Sequence, residues 1–290
     1  MTTAGDALFT AQQQIDRMDA QYLLARLTGL SRAAMLAHPE RQLPADIVIT
    51  FETQVAARAA GVPVAQIMGC REFYGREFVV NEHVLIPRPE TELLIELALA
   101  LLSGNKWPEQ ADPPRVLDLG TGCGAIAITL ALECPHANVT AIDQSVEALQ
   151  VARQNATSLG ATVALIRSDW YHALNEQKFD LIVSNPPYIA KNDAHLANGD
   201  LRFEPHMALT DDSDDGLASI RTIIAGATAH LNNGGWLMFE HGYDQAEKCR
   251  ALLAQHHFTA IESIQDLAGI PRVTLGQIRP QQQQDVTAAV

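Results

Sequence analysis

Val116-Leu-Asp118-Leu-Gly120-Thr121-Gly122-Cys123-Gly124 is the stretch on which the fold turns. A short apolar run of strand character delivers the chain into three glycines, and residues 125–133 continue at helical spacing. Positions without Cβ let the backbone turn tightly and approach a ligand closely. Strand, glycine loop and helix in that order predict the opening unit of a sheet that holds a cofactor at its carboxyl edge. Gly120, Gly122 and Ala125 also satisfy G-x-G-x-x-A, so a nicotinamide enzyme is an open reading of this loop.

Outward from the loop, the pattern alternates. Strands are expected at 116–119, 139–142, 163–166, 179–183 and 236–239, with helices at 125–133, 146–159, 217–231 and up to about 256. Two further strands, 258–264 and 273–278, follow. Such alternation implies a parallel α/β sheet covered on both faces. Upstream, apolar residues at helical spacing (Leu23, Leu24, Leu27, Leu30; Val48, Phe51, Val55), with starts at Ser31 and Pro44, predict a small helical bundle. Short β-prone pieces around Gly75 and Asn81 read as a hairpin connector. The expected organisation is a helical domain over 1–71, a connector over 72–86, a catalytic domain over 87–280, and a Gln-rich disordered tail over 281–290.

Composition narrows the function classes. Hydrophobic content of 47% with 19% charged residues suits a packed globular enzyme. Lys and Arg number 20 against 34 Asp and Glu, a net charge of -14, which opposes a phosphate-tracking surface for nucleic acid. Cys70, Cys123, Cys134 and Cys249 have neither zinc nor disulfide spacing, and no histidine metal motif occurs, so no metal is expected. With no leader or membrane-spanning run, the expectation is a cytoplasmic protein.

Three further positions carry chemistry. Asp143 ends the second strand of the sheet, where a carboxylate can accept from both hydroxyls of a ribose. Asp169-Trp170 ends the third, placing a carboxylate and an indole face near an adenine; a core aromatic is the alternative for Trp170. Asn185-Pro186-Pro187-Tyr188 follows the fourth, just past its carboxyl end, where doubly wound sheets place reactive groups. An isolated copy could be a rigid turn, since proline fixes φ and removes a donor.

With these motifs in place, the chain resembles class I methyltransferases that modify planar nitrogens, and more closely the release factor glutamine methyltransferase family. The likeness also takes in Leu85-Ile-Pro-Arg-Pro-Glu-Thr-Glu92, Arg202-Phe-Glu-Pro205, Asp215-Gly-Leu217, Gly234-Gly235, Glu240-His-Gly242 with Gln245, and Arg272-Val-Thr-Leu-Gly276. It implies a Rossmann-like seven-stranded sheet with an antiparallel strand, an N-terminal helical bundle and a β-hairpin connector. It implies S-adenosyl-L-methionine as cofactor, held by Asp118, Gly120, Thr121, Gly122, Cys123, Gly124, Asp143, Asp169, Trp170 and Asn185. Asn185, Pro186, Pro187 and Tyr188 would bind the acceptor glutamine, with Asn185, Pro186 and Tyr188 catalytic. An amide nitrogen is a poor nucleophile, so the site must orient it, and the Asn185 side-chain oxygen and Pro186 carbonyl can each accept one of its N–H groups. Tyr188 would offer an apolar face to the amide.

The implied partners are class 1 peptide-chain release factors, methylated on the glutamine of a Gly-Gly-Gln motif, with no direct nucleic acid or membrane contact. A glutamine of a large-subunit ribosomal protein is the nearest rival substrate, and adenine-N6 of DNA a more distant one, because it demands base flipping and a basic groove. A scaffold that only holds cofactor would show a damaged tetrapeptide, and this one is intact.

Weaker groups read as structural. Arg88, Glu90, Thr91 and Glu92, at the junction of the domains, could line the site or cap the helix that follows, and capping is the expectation; Asp211-Asp-Ser-Asp-Asp215 could face a basic partner surface, and a solvated loop is the expectation. Cys123 is expected to pack rather than attack. Gln66 stands where the resembled family commonly has an aromatic, which touches the connector rather than the chemistry.

Overall fold

Capping residues start the N-terminal helices where the sequence supplies them. In a computed structural model, which describes residues 2–103, 112–197 and 199–279, the Thr3 and Asp6 side chains exchange bonds in a capping box that opens α1 (Ala4–Ala11). Asp16 caps α2 (Arg17–Thr28), which ends at Gly29 in the left-handed region, and Ser31 caps α3 (Arg32–Ala37). Pro44 precedes α4 (Ala45–Ala59), and α5 (Val64–Met68) follows Pro63. Leu23, Leu24, Met35, Phe51 and Val55 fill a core shared by these helices.

A two-residue turn joins β1 (Cys70–Phe73) to β2 (Arg76–Val79). Tyr74 and Gly75 both have positive φ, 50° and 72°, as a primed hairpin turn requires. Phe73 and Phe78 pack into the core of the large sheet, while Arg26 of α2 bonds Glu77 at 2.7 Å. The hairpin thereby joins the two cores.

A 3-10 turn over Pro89–Thr91 leads into α6 (Glu92–Ser103). There follow β3 (Arg115–Leu119), α7 (Ala125–Glu133), β4 (Asn138–Asp143), α8 (Val146–Leu159), β5 (Ala164–Arg167) and β6 (Phe179–Ser184). After a long loop with the short α9 (His206–Leu209) come α10 (Ala218–His230), β7 (Leu231–Glu240), α11 (Ala246–Gln255), β8 (Phe258–Gln265) and β9 (Pro271–Ile278). The sheet order is β5-β4-β3-β6-β7-β9-β8. Strands β3 to β7 pair in parallel, and β9 is antiparallel to both of its neighbours. Alternate residues face opposite layers: Val116 and Val183 pack with α6, α7 and α8, whereas Leu117 and Ile182 pack with Ile220 and Ile224 of α10 and Leu253 of α11.

One sequence expectation changes in detail. Strand 236–239 is longer, because Asn232-Asn-Gly-Gly235 ahead of it is a bulge inside β7, held by Asn232 Nδ2 donating to Asp180 Oδ1 at 2.7 Å. The tail over 281–290 lies outside the described residues. No helix among the described residues is long and apolar enough to cross a membrane.

Candidate active site

Sheet register builds the site. Leu119 lies opposite Ser184, so the glycine loop after β3 and Asn185 after β6 leave the sheet together, where the strand order reverses. Ser184 in turn lies opposite Phe239, which sets Asn185 and Glu240 at one level. A cavity of about 350 Å³ opens there.

Of the expected site residues, Gly120, Thr121, Gly122, Cys123, Asp143, Asp169, Trp170, Asn185 and Pro187 line this cavity. Asp118, Gly124, Pro186 and Tyr188 lie behind that lining. Asp118 is fully buried, Gly124 packs so closely on Ile128 that a Cβ would sit 2.6 Å from its Cδ1, and the Tyr188 hydroxyl donates to Glu240 Oε1 at 3.0 Å. The lining also holds His83, Leu85 and Pro87 from the segment after β2, and Pro205, His206 and Met207 from the loop after β6; of these, His83, His206 and Met207 are not singled out by the sequence.

Loop chemistry discriminates between cofactor classes. The N–H groups of Gly120 and Thr121 donate to Ile142 O, that of Gly122 to Asp143 Oδ2 at 2.9 Å, and that of Gly124 to Thr121 O. These amides are committed within the protein, so they are not free to cradle a pyrophosphate as dinucleotide loops do. Asp143, Asp169, Asp211 and Asp212 line the cavity, and among the described residues no Lys or Arg does. Open space stands above Gly120 and Gly122, where an added Cβ would meet nothing within 4 Å. Such a cavity fits a nucleoside carrying positive charge, not one carrying phosphates.

Asp118 accepts from the Thr121 hydroxyl through Oδ2 at 2.7 Å, while its buried Oδ1 has no hydrogen-bond partner. Burial pushes its carboxyl up to about 7. A carboxyl raised above its unfolded value binds its proton more tightly when folded, so its contribution to stability falls as pH rises from about 4 to about 7 and is level above. Asp118→Asn should therefore gain stability relative to the native chain across that window. Melting temperatures of both proteins against pH test this; a constant difference would refute it.

Trp170 sits at φ 45°, a left-handed position that costs a bulky residue about 1–2 kcal/mol. Ser168 holds it there, its Oγ donating to Trp170 O at 2.6 Å and accepting from Ala173 N at 3.0 Å. The indole both packs on the core and borders the cavity. Cys123 is buried, and burial pushes its thiol up to about 12, which leaves no thiolate to act as nucleophile at neutral pH. Asn155 of α8 supports the loop from behind, donating to Cys123 O at 2.8 Å and bonding both backbone groups of Val79 in the hairpin.

Thr91 is not a helix cap. Its hydroxyl donates to Glu240 Oε2 at 2.6 Å and accepts from Asn185 Nδ2 at 3.1 Å. Its neighbours are tied elsewhere: Glu92 accepts from Tyr74 N at 2.9 Å, and Arg88 pairs with the buried Glu204, which also accepts from Ile86 N. Gln66 Nε2 donates to Phe203 O at 2.9 Å, so this polar residue anchors the loop after β6 to the helical domain. Nor is the acidic loop simply solvated: Asp211 accepts from Ser219 N at 2.7 Å, and Asp215 pairs with Arg221.

Fold and site together define a class I methyltransferase, with S-adenosylmethionine as the methyl donor. The family described as Methyltransferase small domain matches residues 101–200, and that described as PrmC N-terminal domain matches residues 2–69. A release factor glutamine methyltransferase of Bordetella pertussis is 49% identical over 96% of this chain and 100% of its own length. One of Burkholderia pseudomallei is 49% identical over 91% of this chain and 93% of its own. The chain belongs to the release factor glutamine methyltransferase family. Among solved structures, the T. Thermophilus 16S rRNA N2 G1207 methyltransferase, in complex with AdoMet and guanosine, aligns with a TM-score of 0.51 at 20% identity, covering 72% of this chain and 50% of that one. That likeness is one of fold.

Proposed function

We propose that this enzyme methylates N5 of the glutamine in the Gly-Gly-Gln motif of class 1 peptide-chain release factors. The observation that carries the reading is near full-length relatedness, at 49% identity, to proteins named for glutamine methylation of release factors. The site offers chemistry suited to it. Bound S-adenosylmethionine supplies an electrophilic methyl group on a sulfonium. The glycine loop, Asp143, Asp169 and Trp170 would hold it, with Asp118 supporting the loop from beneath.

Asn185 presents its amide at the cavity beside that loop. With Nδ2 committed to Thr91, its Oδ1 is the atom left to accept one N–H of the acceptor amide, and the Pro186 carbonyl accepts the other. The nitrogen lone pair is thereby turned toward the methyl group, and orientation is what a weak amide nucleophile needs most. The nitrogen gains the methyl as the methyl–sulfur bond breaks, leaving the electron pair on sulfur in S-adenosylhomocysteine, and it releases one proton to water. Tyr188, with its hydroxyl on Glu240, fixes the end of the tetrapeptide. The acidic cavity and the net charge of -14 weigh against the DNA alternative.

Methyl-labelled S-adenosylmethionine, offered with a class 1 release factor, with the same factor carrying alanine for the motif glutamine, and with a large-subunit ribosomal protein, tests the reading. Label should enter the native release factor and be lost in its alanine version. Label in the ribosomal protein alone would keep the chemistry and overturn the substrate.

A further inference from the structure

One buried carboxylate holds both ends of the acceptor tetrapeptide. Glu240, 1% exposed at the end of β7, receives the Tyr188 hydroxyl on Oε1 at 3.0 Å and the Thr91 hydroxyl on Oε2 at 2.6 Å. Thr91, 4% exposed, in turn receives Asn185 Nδ2 at 3.1 Å. Three separate segments meet here: β6 and β7 through sheet register, and the 3-10 turn that precedes α6.

Burial pushes the Glu240 carboxyl up, and the hydroxyls of Thr91 and Tyr188 that point at it oppose that shift. In its ionised form the carboxylate can only accept, so the Thr91 hydroxyl gives it its single proton. Thr91 then has only lone pairs to offer Asn185, which must turn its NH₂ toward Thr91. A planar amide whose nitrogen is so committed shows its oxygen to the cavity. Were the relay inverted, Asn185 would present N–H groups to the N–H groups of the acceptor.

We infer that Glu240 and Thr91 are positioning residues for methyl transfer: Glu240, acting through the Thr91 hydroxyl, sets the orientation of the Asn185 amide so that an acceptor faces the substrate amide. The inference rests on the glutamine-methylating reading above. It gives Glu240, behind the cavity lining, and Thr91, within it, a role in turnover exerted through Asn185. Buried hydrogen-bond chains of this kind hold a single arrangement when every member is satisfied.

Two substitutions interrupt the relay without emptying space. Thr91→Val keeps the shape and removes the hydroxyl. Glu240→Gln keeps the size but adds two donors, one of which can point at Thr91, turn its proton toward Asn185 and favour the flipped amide. Thr91→Ser restores the hydroxyl without the methyl group. A structural role would follow shape; a positioning role follows the hydroxyl.

The test is steady-state transfer of labelled methyl from S-adenosylmethionine to a class 1 release factor by the full chain, with S-adenosylhomocysteine affinity measured alongside. Thr91→Val and Glu240→Gln should each lower kcat by about 10- to 100-fold, with KM for S-adenosylmethionine and S-adenosylhomocysteine affinity kept. Thr91→Ser should recover most of the loss. The inference is overturned if kcat of Thr91→Val stays within about threefold of the native value, or if Thr91→Ser loses as much as Thr91→Val. Should Glu240→Gln fail to fold, the Thr91 pair decides alone. A native chain that transfers nothing to the release factor removes the glutamine reading and the inference with it. Native transfer with unaffected variants removes the inference only.

Discussion

Asn185→Ala is expected to lower kcat by a factor of several hundred or more, about 3–4 kcal/mol of transition-state stabilisation, the order seen when one preorganised polar group is deleted. The truncation removes the acceptor proposed to orient the substrate amide and strands the Thr91 hydroxyl behind it. The dissociation constant of S-adenosylmethionine should change far less, because the glycine loop and Asp143 remain. Single-turnover methyl transfer with saturating cofactor, together with calorimetric binding, separates the two quantities. Near-native turnover with intact binding would end the role assigned to Asn185.

Gly216→Ala is expected to damage both stability and rate. Gly216 lies at φ 64°, and a Cβ there would stand 2.2 Å from the Tyr188 carbonyl oxygen. Neither partner can yield cheaply. Tyr188 O accepts from Gln245 Nε2 at 2.9 Å, and the same amide reaches Asp215 O at 3.1 Å while Gln245 Oε1 accepts from Gly242 N. Overpacking of this kind costs about 1–3 kcal/mol, and the left-handed conformation adds about 1–2 more for a residue with a Cβ. The strain would be relieved partly by displacing the tetrapeptide, and a shift of about 1 Å at a reacting group can cost about 100-fold in rate. A melting temperature several degrees lower and a kcat reduced by at least about tenfold are the expected readings. A variant that melts and turns over like the native chain would show that the loop can move aside.

Much of this architecture is legible in the sequence because it is local. Residues 125–133 and 146–159 are helices in the structure as their spacing predicts, and the glycine loop and Asn185 sit at strand ends that periodicity alone locates. What the sequence conceals depends on register. Thr91 and Glu240 are 149 positions apart, and nothing in either segment announces the other; Thr91 reads as a cap because its neighbours are first-turn residues. Only the pairing of Ser184 with Phe239 sets Glu240 beside Asn185. The wall formed by His83 and Pro205 to Met207 is hidden for the same reason, since it is assembled by Glu204 gripping Ile86 N and Arg88 across more than a hundred residues. The bulge in β7 is hidden in another way: Asn-Asn-Gly-Gly carries turn chemistry, and it stays in the strand because Leu231 and Trp236 pair with β6 before and after it while Asn232 bonds Asp180 and Gln277 Nε2 donates to Gly234 O.

The insertion of β9 between β7 and β8 also sets a timetable for synthesis. Glu240 lies opposite Val273 and His241 N donates to Arg272 O, so the edge of β7 that carries the relay stays unpaired until residues 271–278 have left the ribosome. Before that moment β8 has no strand to join, and a growing chain displays an open, apolar sheet edge of the kind that recruits chaperones or sticks to its neighbours. A chain cut short ahead of residue 271 would carry the glycine loop and Asn185 and still lack the strand that closes their surroundings. The pairing beside Glu240 is thus among the last the sheet receives.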